Sequence, residues 1–263
     1  MAVAIILGVS ALPKGNAATG ASLTADQIIR NSVAANERDW RAAPEYSYTE
    51  TTRDSHGSKT TRVTMLLGSP YEQLLRRNGK ALSPEDQKRE KEKFDAAFSE
   101  RKSESRQETA DRIAKYEKDR RRDHLMMEQL TNAFRFRLTG EKKLYGRSVY
   151  TLRATPRADY RPPNMEAEVL TGMKGDLWID KQTFQWVKVL AQVVSPVSIG
   201  GFLATVQPGT YFELEKAPVA GGIWLPKHFR VQSQSKVLSL FRHDTQEDDT
   251  YLDYQKTPAE YLA

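Results

Sequence analysis

The histidines are the first residues to test for chemistry, because imidazole is a common metal ligand and the commonest general base near neutral pH. The chain has four of them, His56, His124, His228 and His243. No two are spaced as in an H-x-x-x-H or H-E-x-x-H motif, which would place both on one face of a helix. Cysteine is absent, so thiolate metal sites, disulfides and cysteine nucleophiles are excluded. We therefore expect no metal ion and no other cofactor.

The carboxylates are numerous, and one run of them comes close to a metal-binding pattern: Glu247, Asp248 and Asp249, followed by Asp253. This run lacks the glycine and the alternating ligand spacing of a calcium loop, so it predicts a solvated turn. The glycine patterns of serine hydrolases, dinucleotide-binding proteins and P-loop proteins are missing as well. A pair of carboxylates in a cleft stays open as a hydrolytic site. Because no pair stands out, we expect a protein that is not an enzyme.

A hydrophobic site is indicated instead by the segment 184–194. Under strict strand alternation Phe184, Trp186 and Leu190 share one face, and the valines and the alanine between them share the other. Both faces are apolar, so both must be shielded from water. In a strongly bent sheet, a second apolar face lines a hydrophobic cavity.

Three nearby segments supply apolar side chains that would close such a cavity: the loop 195–203, the loop 156–173 and the patch 125–127. The alternative is that all three simply pack the core. The residues predicted to bind the ligand are large and apolar, and they are Trp178, Phe184, Trp186, Leu190, Ile199, Phe202, Leu203, Met126 and Leu130.

The charge balance does not indicate nucleic acid. The net charge is +6 over 263 residues, and the isoelectric point is near 9.3. The densest basic cluster, 120–122, is interleaved with Glu117, Asp119 and Asp123 and lacks the aromatic spacing of a stacking platform. We expect no nucleic-acid partner.

The first twelve residues are apolar or small, which is too short a run to span about 30 Å of hydrocarbon as a helix. Pro13 and a run of small residues follow it. This pattern predicts a signal peptide over 1–20, export to the periplasm and a single mature domain over 21–263. A buried N-terminal strand is the alternative. No later stretch is apolar for long enough to cross a membrane, so we do not expect an integral membrane protein.

The elements expected along the chain are one helix, a β-meander, a charged insertion and a series of strands. Thr24-Ala-Asp-Gln is a capping box that predicts the start of the first helix. Ser83-Pro-Glu-Asp predicts a second start, and residues 83–123 form a charged helical insertion. Between 85 and 123 there are 13 basic and 12 acidic residues with no apolar stripe, so we expect a solvated helical arm that breaks near Ser103–Ser105.

From Phe134 onward the sequence predicts strand after strand, among them 236–242, joined by short turns rich in glycine, proline and polar residues. Short connections favour antiparallel pairing, because parallel pairs need long crossovers. The fold class is therefore α+β. We expect a large curved antiparallel sheet, helices that cover its apolar concave face, and the inserted arm.

Two runs resemble a known family. Gly146 to Pro156 reads GRSVYTLRATP, and Gly175 to Val189 reads GDLWIDKQTFQWVKV. Both resemble the periplasmic outer-membrane lipoprotein carrier and sorting proteins (LolA/LolB-like). The resemblance implies an unclosed β-barrel in which helices lid a hydrophobic interior that binds the acyl chains of lipoproteins. The insertion 83–123 is not part of that pattern.

Two functions follow as expectations. The first is a non-catalytic periplasmic carrier or sorting-type protein that binds lipoprotein acyl chains or another lipid. The second is an envelope protein–protein interaction or stress-sensing module on the same fold, with 83–123 as the contact arm.

Overall fold

Eleven strands join into one sheet in the computed structural model, which describes residues 23–200, 204–233 and 246–262. A separate two-stranded ribbon is formed by β9 and β10. The described strands are β1 (Tyr46–Asp54), β2 (Gly57–Leu66), β3 (Ser69–Arg77), β4 (Lys80–Ala81), β5 (Phe134–Leu144), β6 (Arg147–Pro156), β7 (Met173–Asp180), β8 (Trp186–Val193), β9 (Val197–Ile199), β10 (Ala204–Val206), β11 (Tyr211–Pro218), β12 (Trp224–Gln232) and β13 (Gln246–Lys256).

The order across the sheet is β4-β3-β2-β1-β13-β12-β11-β8-β7-β6-β5, and every neighbouring pair is antiparallel. β4 and β5 are the two edges, so the sheet is open rather than closed into a ring. The described α-helices are α1 (Ala25–Ala42), α2 (Pro84–Ser103), α3 (Arg106–Glu128), α4 (Leu130–Ala133) and α5 (Met165–Glu168). The predicted α+β class with a large antiparallel sheet is confirmed.

Helix α1 begins where the capping box predicts. The Thr24 side chain accepts the Gln27 N–H at 3.2 Å, and the Gln27 side chain accepts the Thr24 N–H at 2.9 Å. Ile28 and Ile29 of this helix are buried in one apolar cluster with side chains of β6 and β7. We call the sheet face that carries this cluster the inner face.

The opposite, outer face is held by ion pairs between neighbouring strands. The Arg153 side chain on β6 donates to Asp176 on β7 at 3.0 Å. Lys188 on β8 donates to Glu215 on β11 at 3.1 Å and also to Glu213. Since the outer face is mostly polar, the apolar content of the sheet is concentrated on the inner face.

The predicted alternation over 184–194 is wrong at one point. Trp178 on β7 pairs with Lys188 on β8, but the next residue, Ile179, pairs with Trp186, so Val187 is an extra residue in a β-bulge. The bulge moves Trp186 to the inner face, where it joins the buried cluster. The segment therefore does not have two equally apolar faces.

The charged insertion is two helices rather than a free arm. Ser105 caps α3 through a capping box with Glu108, which confirms the predicted break. Arg101 donates to the carbonyls of Leu66 and Ser69 at 2.6 and 2.9 Å, so the end of α2 is fixed to the β2–β3 turn. No residue of α2 is buried, as expected of a solvated arm, but arginines and the rings of Phe94 and Phe98, which pack on Tyr261, fix the helix to the rest of the protein.

Helix α3 is fixed in the same way and then reaches α1. Arg112 donates to the Leu67 carbonyl at 2.9 Å and to the Ser69 hydroxyl at 2.8 Å, and its guanidinium pairs with Glu104. Arg120 donates to the Trp40 carbonyl at 2.5 Å. α3 thus lies against both the sheet end and α1.

No helix within the described ranges has the length and hydrophobicity to cross a membrane. Three predictions fall outside the described residues: the signal peptide over 1–20, the strand 236–242, and the side chains of Phe202 and Leu203. The limits of the mature domain, 21–263, also stay a prediction.

Candidate functional site

The inner face between β5 and β12 is lined by apolar side chains that the covering helices only partly shield. These half-buried side chains come from both the sheet and the helices. They are Phe136, Leu138, Val189, Ala191, Phe212, Leu214, Val33, Met127 and Leu130. We call them the apolar surface. Solvent-accessible apolar groups between a sheet and its helices are the lining expected of a hydrophobic binding site.

Four of the predicted ligand residues belong to this region. Trp186 and Ile199 are buried in the inner cluster, and Phe184 and Leu130 are half-buried against it. The indole Nε1 of Trp186 is buried without a hydrogen-bond partner. A buried donor without an acceptor is unusual and is consistent with an acceptor on a ligand.

Two of the predicted residues lie on the other side of the sheet. Leu190 pairs with Asp176 and Glu213, whose side chains form the outer ion pairs, so it shares their face. Trp178 packs against a second buried cluster that includes Val187. Met126 lies in α3, and Phe202 and Leu203 lie outside the described residues. The structure therefore does not bring all nine residues together.

The segments predicted to close the site pack into the inner cluster. Tyr160, Val169 and Leu170 come from the segment that contains α5, and Val197 comes from β9. Gly172 lies so close to Val197 that a Cβ would approach its side chain to 2.3 Å. These segments cover one end of the inner face with their own side chains.

The inner face changes character beyond β12. Leu214 on β11 pairs with Phe229 on β12, and Phe229 pairs with Asp249 on β13. Asp249 in turn pairs with Thr52 on β1. Directly opposed residues share a face, so the apolar surface continues into a row of polar residues.

Carboxylates and tyrosines make up this second half. The acidic side chains that neighbour one another here are Glu50, Glu72, Glu247 and Asp249, which we call the acidic patch. The ring of Tyr48 lies 5.9 Å from that of Tyr251 and 5.2 Å from that of Tyr254, measured between centroids. From α3, the Tyr116 hydroxyl lies 3.9 Å from the sulfur of Met65 on β2.

Burial and like charge shift the pKa values of the patch. Burial, followed by a hydrogen bond with Glu247 and the charges of Glu247 and Glu50, raises the pKa of Asp249 to about 7, although a hydrogen bond with Thr52 opposes the shift. Burial and the charge of Glu72 raise the pKa of Glu50. Burial raises the pKa of Tyr251. Such shifts are typical of sites that bind or react.

The prediction of a solvated turn at 247–249 is wrong. The run lies in β13, and Asp249 is only 3% exposed. Because side chains alternate along a strand, Asp248 points to the outer face and pairs with Arg230, while its two neighbours point inward. The sequence signal was the presence of carboxylates at every second position of this run. That spacing indicates a buried face only when the strand is known to lie inside a sheet.

One group of side chains has the composition of a metal site. The carboxylates of Glu37 and Glu128 and the imidazole of His124 place their ligand atoms within 4.8 Å of one another. Glu37 lies 2.5 Å from His124 Nε2 and also pairs with Arg41 at 2.8 Å. His124 stacks on Trp40 with ring centroids 4.2 Å apart. The geometry is that of a hydrogen-bonded and stacked contact between α1 and α3.

Comparisons with known proteins bear on the fold. No protein-family model and no curated protein matches the chain. A LolA-superfamily structure from Nitrosomonas europaea is similar over 89% of this chain and 94% of its own, with 12% identity and a TM-score of 0.33. A putative outer membrane lipoprotein-sorting domain from Vibrio parahaemolyticus is similar over 88% of this chain and 94% of its own, with 11% identity and a TM-score of 0.33. The MucA/MucB complex from Pseudomonas aeruginosa is similar over 87% of this chain and 100% of its own, with 13% identity and a TM-score of 0.22.

The likeness to LolA-superfamily structures that the two hairpin runs predicted is thus confirmed. At these identities and TM-scores it carries no conclusion about function. Function is therefore inferred from the side chains of the site.

Proposed function

We propose that the protein binds an acyl chain on the apolar surface and acts as a periplasmic carrier or sorting protein for a lipid or lipoprotein. The observation that carries the proposal is the set of half-buried apolar side chains between the sheet and the helices. A protein interior is normally packed without gaps. Apolar side chains that stay partly exposed on the inner face favour a hydrocarbon guest, because their contact with water is unfavourable.

The dimensions of the surface support this function. It extends over the five neighbouring strands from β11 to β5. At about 4.8 Å between strands, this is a length of about 19 Å. One acyl chain occupies about half of a hydrocarbon core of about 30 Å, so the surface is long enough for one chain. Of the predicted ligand residues, the proposal includes Phe184, Trp186, Ile199 and Leu130.

Filling the surface with a large side chain is expected to weaken binding. Ala191 is half-buried on the inner face of β8, and its neighbour Gln192 is exposed on the outer face. Ala191→Trp should weaken the binding of a dansylated undecanoic acid, measured by fluorescence titration, by a factor of ten or more. Each buried CH₂ that the indole displaces is worth about 0.8 kcal/mol. Gln192→Trp should bind like the wild type.

Circular dichroism and thermal unfolding of both variants establish that they fold. Equal loss of binding in the two variants would contradict the proposed location of the site. Failure of the folded wild-type protein to bind the probe, together with no lipid in native mass spectrometry, would overturn the proposed function.

A second candidate function is protein–protein contact through α2. This helix has 20 residues and none of them is buried, and the Lys88 side chain is 78% exposed. A photo-crosslinking residue at Lys88 should give an adduct of defined mass in envelope preparations. The same residue at Leu252, which is 51% exposed on a different surface, should give none. No adduct from Lys88 would rule this contact out.

A further inference from the structure

The inner face has two chemically different halves that meet in register. Apolar side chains line the inner face as far as Phe229 on β12. Carboxylates begin at Asp249 on the next strand. Adjacent strands are about 4.8 Å apart. A molecule with an apolar tail on one half therefore places its head group at the acidic patch.

One carboxylate oxygen of the acidic patch is buried, so water does not hydrogen-bond to it. Asp249 is 3% exposed, and its Oδ1 is buried without a hydrogen-bond partner. The side-chain hydrogen bonds of Asp249 go to the Thr52 hydroxyl and to Glu247, and neither serves Oδ1. A buried carboxylate oxygen without a donor costs free energy unless a donor or a cation is supplied. This orphaned oxygen distinguishes the patch from an ordinary hydrated cluster of acids.

The tyrosines add a second attraction for cations. Three rings, those of Tyr48, Tyr251 and Tyr254, lie beside the carboxylates with centroid separations from Tyr48 of 5.9 and 5.2 Å. The face of an aromatic ring attracts an ammonium group. Tyr251 also donates its hydroxyl to Glu50, which fixes both side chains.

The basic side chains near the patch are engaged or exposed. Arg120 of α3 lies over the Tyr116 ring, but its guanidinium bonds to Glu117 at 2.9 Å and to the Trp40 carbonyl. Lys59 shares the inner face through its pairing with Thr52, and it is exposed. Neither neutralises the buried oxygen of Asp249, since Oδ1 has no hydrogen-bond partner.

We propose that the acidic patch and its three tyrosines bind the ammonium group of an amphiphile whose hydrocarbon tail lies on the apolar surface. The inference rests on the proposed acyl-binding function and adds the charge of the head group. The chemical class is an alkylammonium amphiphile, for example a lipid with an amine in its head group. The net charge of +6 would by itself favour an anionic ligand, so selectivity for a cation has to come from the local site.

Two probes with the same tail and opposite charge test the inference. Dodecylamine and dodecanoate are titrated below their micellar concentrations by isothermal calorimetry at pH 8. The wild-type protein should bind dodecylamine at least tenfold more tightly, as expected for a desolvated ammonium beside carboxylates and aromatic faces. Ethylamine, which has no tail, should bind more weakly than dodecylamine by a factor of ten or more.

Variants locate the selectivity. Glu50→Gln combined with Asp249→Asn should bring the two dissociation constants within threefold of each other without weakening the binding of dodecanoate. Asp248→Asn is the matched control, because Asp248 is the adjacent residue in the chain and its side chain lies on the outer face with Arg230. It removes one negative charge but should leave the tenfold preference intact.

The outcomes separate this inference from the function on which it rests. If wild type binds dodecanoate as tightly as dodecylamine, the ammonium site is wrong and the apolar site stands. If Asp248→Asn abolishes the preference as fully as the double variant does, long-range charge explains it and the site is wrong. If neither probe binds, the proposed function fails and the inference fails with it.

Discussion

Lys216→Met is expected to lower the free energy of unfolding by about 3–5 kcal/mol at pH 7. The Lys216 ammonium is buried under α1, where it donates to the Asn36 side chain at 2.7 Å and lies 3.8 Å from Asp39. Asp39 is 1% exposed and also accepts the Trp224 backbone N–H at 3.1 Å. Removal of the lysine leaves a buried carboxylate whose nearest cation is the exposed Arg38, 4.0 Å away.

The magnitude follows from the protonation of that carboxylate. Burial already raises the pKa of Asp39 while Lys216 opposes the shift, and burial lowers the pKa of Lys216 to about 8. Without the lysine, the pKa of Asp39 rises further, which favours the neutral carboxyl in the folded protein. To protonate a carboxyl of ordinary pKa at pH 7 costs about 4 kcal/mol. Urea unfolding should show this loss at pH 7 and a smaller one at pH 5, where protonation is cheaper.

The double variant Asp39→Asn with Lys216→Met is the control. It removes both charges, so it should regain most of the stability that the single variant loses. If single and double variants lose the same free energy at pH 7, the effect is one of packing and the electrostatic explanation is wrong.

Much of the fold could be predicted because its signals are local. The capping box at Thr24, the helix start at Ser83 and the short spacing of the later strands act within a few residues. These patterns set where helices begin and which strands pair as neighbours. The helix starts and strand pairings that they predict therefore do not depend on distant parts of the chain.

The features that escaped prediction depend on pairing between distant parts of the chain. The bulge at Val187 arises where β8 meets β7, and alternation alone assigns Trp186 to the wrong face. The docking of α3 depends on Arg112 reaching the β2–β3 turn, 45 residues away. Polar side chains that bond to backbone carbonyls leave no periodic signal in the sequence.

The candidate site divides in the same way. Its apolar half could be predicted from the aliphatic and aromatic residues around Trp186, although Leu190 lies on the opposite face. Its acidic half could not, because Asp249 is inward-facing only through its pairing with Thr52 on β1 and Phe229 on β12. A carboxylate buried by such distant strands resembles a surface residue in the sequence.

Asp249→Asn is expected to stabilise the protein by about 2–4 kcal/mol at pH 8 and to flatten the pH dependence of its stability. The folded protein raises the pKa of Asp249 from 3.8 to about 7 through burial and the carboxylates of Glu247 and Glu50. Between these values the folded state holds a proton that the unfolded state has lost. The wild type should therefore lose stability as pH rises from about 4 to 7, and the variant should lose less, since Glu50, whose pKa is also raised, remains.

Asp248→Asn gives the opposite sign and serves as the control. Hydrogen bonds from Arg230 and His228 outweigh partial burial and lower the pKa of Asp248. A lowered pKa contributes stability above the ordinary carboxyl range, and this stability is lost as pH falls. Asp248→Asn should thus destabilise at pH 8 and have little effect at pH 3. If urea unfolding shows that both variants shift stability in the same direction at pH 8, the carboxylate of Asp249 does not sit in a desolvated, negatively charged site.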